Sequence, residues 1–331
     1  MEYLGDLPRH DPLHGYLCSE IVPQTGCGNN PDFRVYKAKA SNHVYVYEDC
    51  CTGARIIGKF FGGIAGRSSA LASQLMEREF NNLNRLRGLG FTGYPHYVCR
   101  PLGHNFKLNC VLVEEFCYGT ALSDYIMRAI RAGARDELFK KLTALAYFLA
   151  TLHNRTANSL AVDFNKDCSY FEKVTEQLRI WGHAGWEESL ELLRLKERWR
   201  ETPCIWEDQQ VLVHGDVTPT NILFGDELWV IPLDFERMRL ADRVFDVGRL
   251  AGEIKHFFMQ YAKNKTLAEP FIGHFLWEYA GHFPDQHKAF TSITRRLPFY
   301  LGLTLLRIAR NSWVTPDYRR QLLEEAKNTL R

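Results

Sequence analysis

Between Phe33 and Gly62 the chain runs through three short stretches rich in β-branched and aromatic residues: "FRVYKAKA" (33–40), "HVYVYEDCC" (43–51) and "ARIIGKFFG" (54–62). They are joined by the pairs "SN" and "TG", which are hairpin connections, so the pattern predicts an antiparallel meander. The period then changes. Leu71, Leu75, Phe80, Leu83 and Leu86 recur at spacings near three and four, which predicts a helix. Ser68 or Ser69 can cap its start, and Gly88 or Gly90 ends it. Two further strands are predicted in "YVCRPLGHNF" and "NCVLVEEF". Residues 33–116 therefore predict a small antiparallel five-stranded sheet with one helix. Residues 1–32 carry Pro8, Pro12, Pro23, Pro31 and several glycines, and predict a loosely structured lead-in.

After "CYGT" the period is helical, in "LSDYIMRAIRAG" and "DELFKKLTALAYFLATLHN". Short strands return at "VLVHGD", "NILFGD" and "LWVIPLDF", and residues from 246 onward read as helices. The expected fold class is α+β in two lobes: an N-terminal lobe over 1–116, including the lead-in, and a larger, mostly helical lobe over 117–331. The second lobe holds a polar helical insert at 154–213. No internal repeat and no low-complexity tract interrupts this plan.

Composition narrows the function classes. A net charge of +2 on 331 residues gives no nucleic-acid footprint. Nine scattered cysteines without a C-x-x-C fit reduced thiols rather than a disulfide framework or a metal site. Glu2, Asp6 and Asp11 stand where a signal peptide needs a basic start, and no apolar run reaches the roughly 20 residues of a membrane span. The expectation is a soluble cytoplasmic protein with no membrane partner.

The stretch "LVHGDVTPTNILF" (212–224) does not fit a generic core. Apolar flanks explain a buried strand-turn-strand, but not Asp216 and Asn221 held five residues apart on the turn. Asp234 follows thirteen residues later, at the end of "LWVIPLDF". Asn and Asp oxygens are hard ligands suited to Mg²⁺. Phosphoryl transfer asks for such oxygens, for a carboxylate that orients the attacking hydroxyl, and for a cation on the phosphates. Lys59 in the third strand and Glu79 in the following helix, twenty residues on, supply the cation and its partner. Taken singly, each residue has a plainer reading: a solvated lysine, a helix-surface glutamate, a turn aspartate, a core histidine. Their order is that of the protein-kinase set, H-R-D-x-x-x-x-N followed by D-F-G.

On "HGDVTPTNILF", "IPLDFERM", "FDVGRLAGE", "EEFCYGTAL" and "EREFNNLNRL", the chain resembles the aminoglycoside phosphotransferase and choline kinase-like family. These are small-molecule kinases with a protein-kinase-like fold. The likeness runs from about residue 33 to about residue 255. It implies Asp216 as the catalytic base or hydroxyl-aligning group, and Asn221 and Asp234 as Mg²⁺ ligands. It implies Lys59, paired with Glu79, on the α- and β-phosphates of ATP or GTP. The backbone of Glu115, Phe116 and Cys117 would hold the base, and Ser41 and Asn42 would tip the phosphate-covering loop. His214 and Asp246 would support the catalytic loop.

Two positions depart from the kinase pattern. The phosphate loop has no G-x-G-x-x-G, and Glu236 replaces the glycine of D-F-G, where a surface salt bridge or metal binding are the alternative readings. Only nine residues, 237–245, separate Glu236 from Asp246, too few for the activation segment of a protein kinase. The acceptor is then a small-molecule hydroxyl on a sugar, amino sugar, aminoglycoside or amino alcohol. A pseudokinase or nucleotide-dependent binding module is the alternative. The insert holds eleven acidic and eight basic residues, and residues 253–331 seven acidic and twelve basic. Neither forms the strongly acidic wall that a polycationic acceptor calls for. The oligomeric state is left open.

Overall fold

A computed structural model describes residues 1–38, 43–226 and 228–331. The chain forms two compact units: Met1–Gly119 with Ile231–Glu236, and Thr120–Val230 with Arg237–Arg331.

The first unit is built on an antiparallel sheet of six strands rather than five. Its order is Glu2–Asp6, Phe33–Lys37, His43–Asp49, Arg55–Phe60, Val111–Glu115, Pro101–Asn105. The added edge strand comes from the lead-in, which is ordered. Leu13, Leu17 and Ile21 recur every fourth residue along consecutive helical turns and pack on Phe33, Tyr47, Ile56, Val111 and Val113. One of the prolines that suggest a loose segment instead starts a helix: Pro12 opens Pro12–Tyr16 behind the Asp11 cap. The unit therefore holds more than one helix.

Strand side chains alternate between faces. Ile56 faces the lead-in, so Lys59, of opposite parity, faces the Ser69–Gly88 helix on the other side of the sheet. The Ser68 hydroxyl caps that helix by accepting from the Leu71 N–H at 3.2 Å. Its buried stripe is Ala72, Met76, Glu79, Leu83 and Leu86, while Leu71 is exposed. Glu79 thus occupies the middle of an otherwise apolar stripe.

The second unit is helical, with short paired strands. Val211–Val213 pairs with Arg239–Ala241, and Ile222–Phe224 with Thr120–Ala121. The Arg239–Ala241 strand has no counterpart among the sequence-predicted strands. Two helices matter most, Val244–Phe257 and Gln286–Ala309. They pack closely because Gly248 and Gly252 carry no side chain. A Cβ on Gly248 would lie 2.4 Å from the Cβ of Tyr300, and one on Gly252 2.7 Å from that of Thr304. Among the described residues no helix is long and apolar enough to cross a membrane.

Candidate active site

In the first unit, Lys59 lies between two carboxylates. Its Nζ is 2.7 Å from Glu79 Oε2 and 2.8 Å from Asp234 Oδ1. Burial by itself would lower the lysine pKa, but Glu79, Asp234, Glu114 and Glu236 together raise it, so the ammonium is firmly charged. Glu79 is fully buried, which pushes its carboxyl up against the opposing pull of Lys59. Asp234 holds its place through an unusual backbone, with φ at 65°, a region uncommon outside glycine. The Phe235 carbonyl beside it accepts from Asn82 Nδ2 at 2.8 Å, which pins the turn.

Glu79, Asp234 and Glu236 bring carboxylate oxygens to within 4.8 Å of one another. Hard oxygens at that spacing fit a divalent cation such as Mg²⁺. Glu236 is half-buried among these groups rather than out on the surface. Along Val111–Glu115, Glu115 closes the strand: its N–H donates to the Arg100 carbonyl, and its Oε1 accepts from Tyr97 at 2.5 Å. Phe116 and Cys117 follow in irregular backbone. Ser41 and Asn42 lie outside the described residues.

In the second unit, the HGD turn hangs from one buried carboxylate. Asp246 accepts from the His214 N–H at 2.6 Å and the Gly215 N–H at 2.9 Å, and its Oδ2 lies 3.2 Å from His153 Nε2. Burial raises the Asp246 pKa, but His153, His214 and the Gly215 N–H more than reverse this, and it stays ionised. His214 accepts from the Asp216 N–H at 3.3 Å through Nδ1. Gly215 is irreplaceable here: φ is +83°, and a Cβ would come 2.3 Å from the Arg237 carbonyl oxygen. Asn221 Nδ2 donates to the Asp216 carbonyl at 3.2 Å, so its own carbonyl oxygen is turned away from that bond.

Asp216 is held by arginines that the sequence reading did not single out. Its Oδ1 accepts from Arg249 Nη1 at 2.9 Å and Arg307 Nη2 at 2.7 Å, and Arg237 Nε stands 3.6 Å from Oδ2. Burial pushes the Asp216 carboxyl up, but Arg307, Arg249, Arg237 and His214 outweigh it and hold the pKa below its ordinary value. A signal for these residues exists in the sequence. Arg249 and Arg307 interrupt the apolar faces of helices, and buried arginines require a partner.

A sequence model described as "Phosphotransferase enzyme family" matches residues 32–280. The chain belongs to the phosphotransferase enzyme family. No curated protein matches this family member's sequence. Solved structures share its fold at low identity. A choline kinase from Cryptosporidium parvum Iowa II superposes with a TM-score of 0.65 at 11% identity, over 96% of this chain and 94% of that one. An amicoumacin kinase in complex with AMP-PNP and Ca²⁺ gives 0.61 at 16%, over 97% and 93%. The GDP complex of aminoglycoside 2'-phosphotransferase-IIIa gives 0.60 at 13%, over 96% and 99%. The kinase-like fold expected from the sequence is the fold these proteins share.

Proposed function

We propose that this phosphotransferase moves the γ-phosphoryl group of a Mg²⁺-bound nucleoside triphosphate to a hydroxyl of a small molecule. The observation that carries the reading is the buried Lys59 clasped by Glu79 and Asp234 in a chain of this family. Lys59 fixes the α- and β-phosphates, and Glu79 keeps its ammonium aimed. Asp234 and Asn221 are the metal ligands, joined by Glu236; Mg²⁺, when bound, neutralises phosphate charge. The Glu115–Cys117 backbone receives the base, and Ser41 and Asn42 cover the phosphates. The first unit is on this reading the nucleotide-binding half, and the second brings the acceptor.

In the transfer, the bond from the γ-phosphorus to the bridging oxygen breaks and a bond to the acceptor oxygen forms. The acceptor's hydroxyl proton passes to the Asp216 carboxylate, and the nucleoside diphosphate leaves. The transition state is loose, so alignment of the hydroxyl counts for more than the basicity of Asp216. The bound AMP-PNP with Ca²⁺, and the bound GDP, of proteins with this fold support a nucleotide donor and a divalent cation. The absence of room for an activation segment favours a small acceptor over a protein.

The test is nucleotide consumption across a panel of hydroxyl compounds, run with wild type, Asp216→Asn and Lys59→Ala. Asp216→Asn should lose on the order of a thousandfold in turnover with nucleotide affinity retained, whereas Lys59→Ala should weaken nucleotide binding as well. Nucleotide binding without turnover, and indifference to Asp216→Asn, would instead make the chain a nucleotide-dependent binding module.

A further inference from the structure

We propose that the first unit binds a small organic ammonium ion, an amine on an apolar frame, in a cavity on the sheet face opposite Lys59. This ligand is a further one, apart from the nucleotide and the acceptor.

The cavity measures about 440 Å³, a size that suits a small molecule. Asp11 and Leu13 of the lead-in form part of its wall, with Tyr45, Tyr47 and Phe60 of the sheet and Leu108 beyond it. Tyr47 stands opposite Ile56, and Tyr45 opposite Gly58, so these side chains share the face away from Lys59. Gly58 keeps the floor open. A Cβ there would lie 2.8 Å from Tyr47 Cε2 and 3.4 Å from Phe60 Cε2, so two rings meet over one glycine. Tyr45 stands edge-on to Phe60, with centroids 5.6 Å apart.

The chemistry of this wall calls for a cation. Asp11 commits Oδ1 to the Leu13 N–H at 2.8 Å and has no cationic partner among the described residues. No described lysine or arginine lines the cavity, and the exposed His43 is the single described side chain there able to carry positive charge. Tyr47 is only 4% exposed, yet its hydroxyl has no hydrogen-bond partner among the described residues. Burying a hydroxyl unpaired is unfavourable, and an ammonium N–H supplies the missing partner. The faces of the aromatic rings carry the negative part of their quadrupole, which attracts an organic cation. An oxyanion entering the cavity meets the Asp11 carboxylate. A neutral molecule of the same shape leaves that carboxylate without a counter-charge.

Calorimetric titration of the full chain compares phenethylamine, 2-phenylethanol and 3-phenylpropanoate, which share a phenylethyl frame and differ in charge. Phenethylamine should bind at least about tenfold more tightly than either of the others. Asp11→Asn should weaken phenethylamine about tenfold and leave 2-phenylethanol within about twofold, because asparagine caps a helix as aspartate does but brings no charge. Tyr47→Phe breaks no hydrogen bond among the described residues and should weaken phenethylamine about threefold to tenfold. Phe60→Leu keeps apolar bulk, removes a ring face, and should weaken phenethylamine more than 2-phenylethanol. Where Asp11→Asn lowers the urea midpoint, Tyr47→Phe and Phe60→Leu carry the test. Asp216→Asn, in the other unit, should bind phenethylamine as wild type does.

Equal affinity for the three compounds, or a preference for the anion, would overturn the assignment. So would phenethylamine binding that all three cavity variants leave unchanged, or that Asp216→Asn abolishes, since either result puts the ligand elsewhere. No binding of phenethylamine at about 10 mM, the weak limit for a ligand of its size, overturns it as well.

Discussion

Replacing Asp246 with asparagine tests whether one buried carboxylate holds the HGD turn. Three donors converge on it: the His214 and Gly215 N–H groups and the His153 ring. An amide keeps one acceptor oxygen and adds an NH₂ group. The cheaper orientation puts the amide oxygen where Oδ2 lies, facing the 2.6 Å bond from His214 and the 3.2 Å contact to His153. The NH₂ then confronts the Gly215 N–H, leaving a buried donor without an acceptor. Hydrogen bonds to charged groups contribute about 1.5–3 kcal/mol, and the bonds that survive weaken to neutral strength, so the variant should lose about 2–4 kcal/mol. Urea denaturation measures this as a lower midpoint at unchanged slope. Turnover should fall as well, since Asp216 follows Gly215 directly, and nucleotide affinity should be retained, since Lys59 belongs to the other unit. A loss below about 0.5 kcal/mol with turnover unchanged would refute the idea that Asp246 braces the turn.

Gly215→Ala should destabilise by at least about 1–2 kcal/mol from backbone conformation alone, with a further cost from the 2.3 Å approach to Arg237, read as a lower unfolding midpoint. The pH dependence of kcat/KM should show no Asp216 ionisation above the usual carboxylate range, because arginines depress that pKa. By the same linkage, the stability gained from Asp216 is complete above its unfolded pKa of about 3.9 and is lost as pH falls through the lower folded value. Arg307→Gln removes one of these cations and should shift the acid limb of the rate profile upward.

The first unit was legible because its chemistry sits on strongly patterned elements. The meander puts Lys59 on its third strand, and the spacing of twenty residues puts Glu79 on the capped helix that follows. The buried stripe differs in phase from the leucines first noticed: it runs through Met76 and Glu79, and Leu71 is outside it. A charged residue at the centre of a stripe cannot be seen by counting apolar positions. The lead-in was misread because its prolines outweighed Leu13, Leu17 and Ile21, whose fourfold spacing was present throughout. The arginines around Asp216 were hidden for another reason. Arg249 and Arg307 come from helices 58 residues apart in sequence, and only the close packing permitted by Gly248 and Gly252 brings both to one carboxylate.

The charged groups of each unit are fixed by the partners they take. In the first unit, burial raises the Glu79 carboxyl, and the oxygens of Glu79, Asp234 and Glu236 lie close enough together to suit a divalent cation. In the second unit, Arg249 and Arg307 share one oxygen of Asp216, and Arg307 also reaches Glu253. A depressed pKa makes Asp216 a weak base, which would be a defect in an enzyme that had to remove the proton early. Loose phosphoryl transfer has no such requirement, because the hydroxyl becomes acidic only as the new bond forms. What the arginines secure is a carboxylate that is ionised and fixed in direction before the acceptor arrives. Because Arg249 and Arg307 share one oxygen of Asp216, replacing either should loosen its direction while the other still holds it ionised.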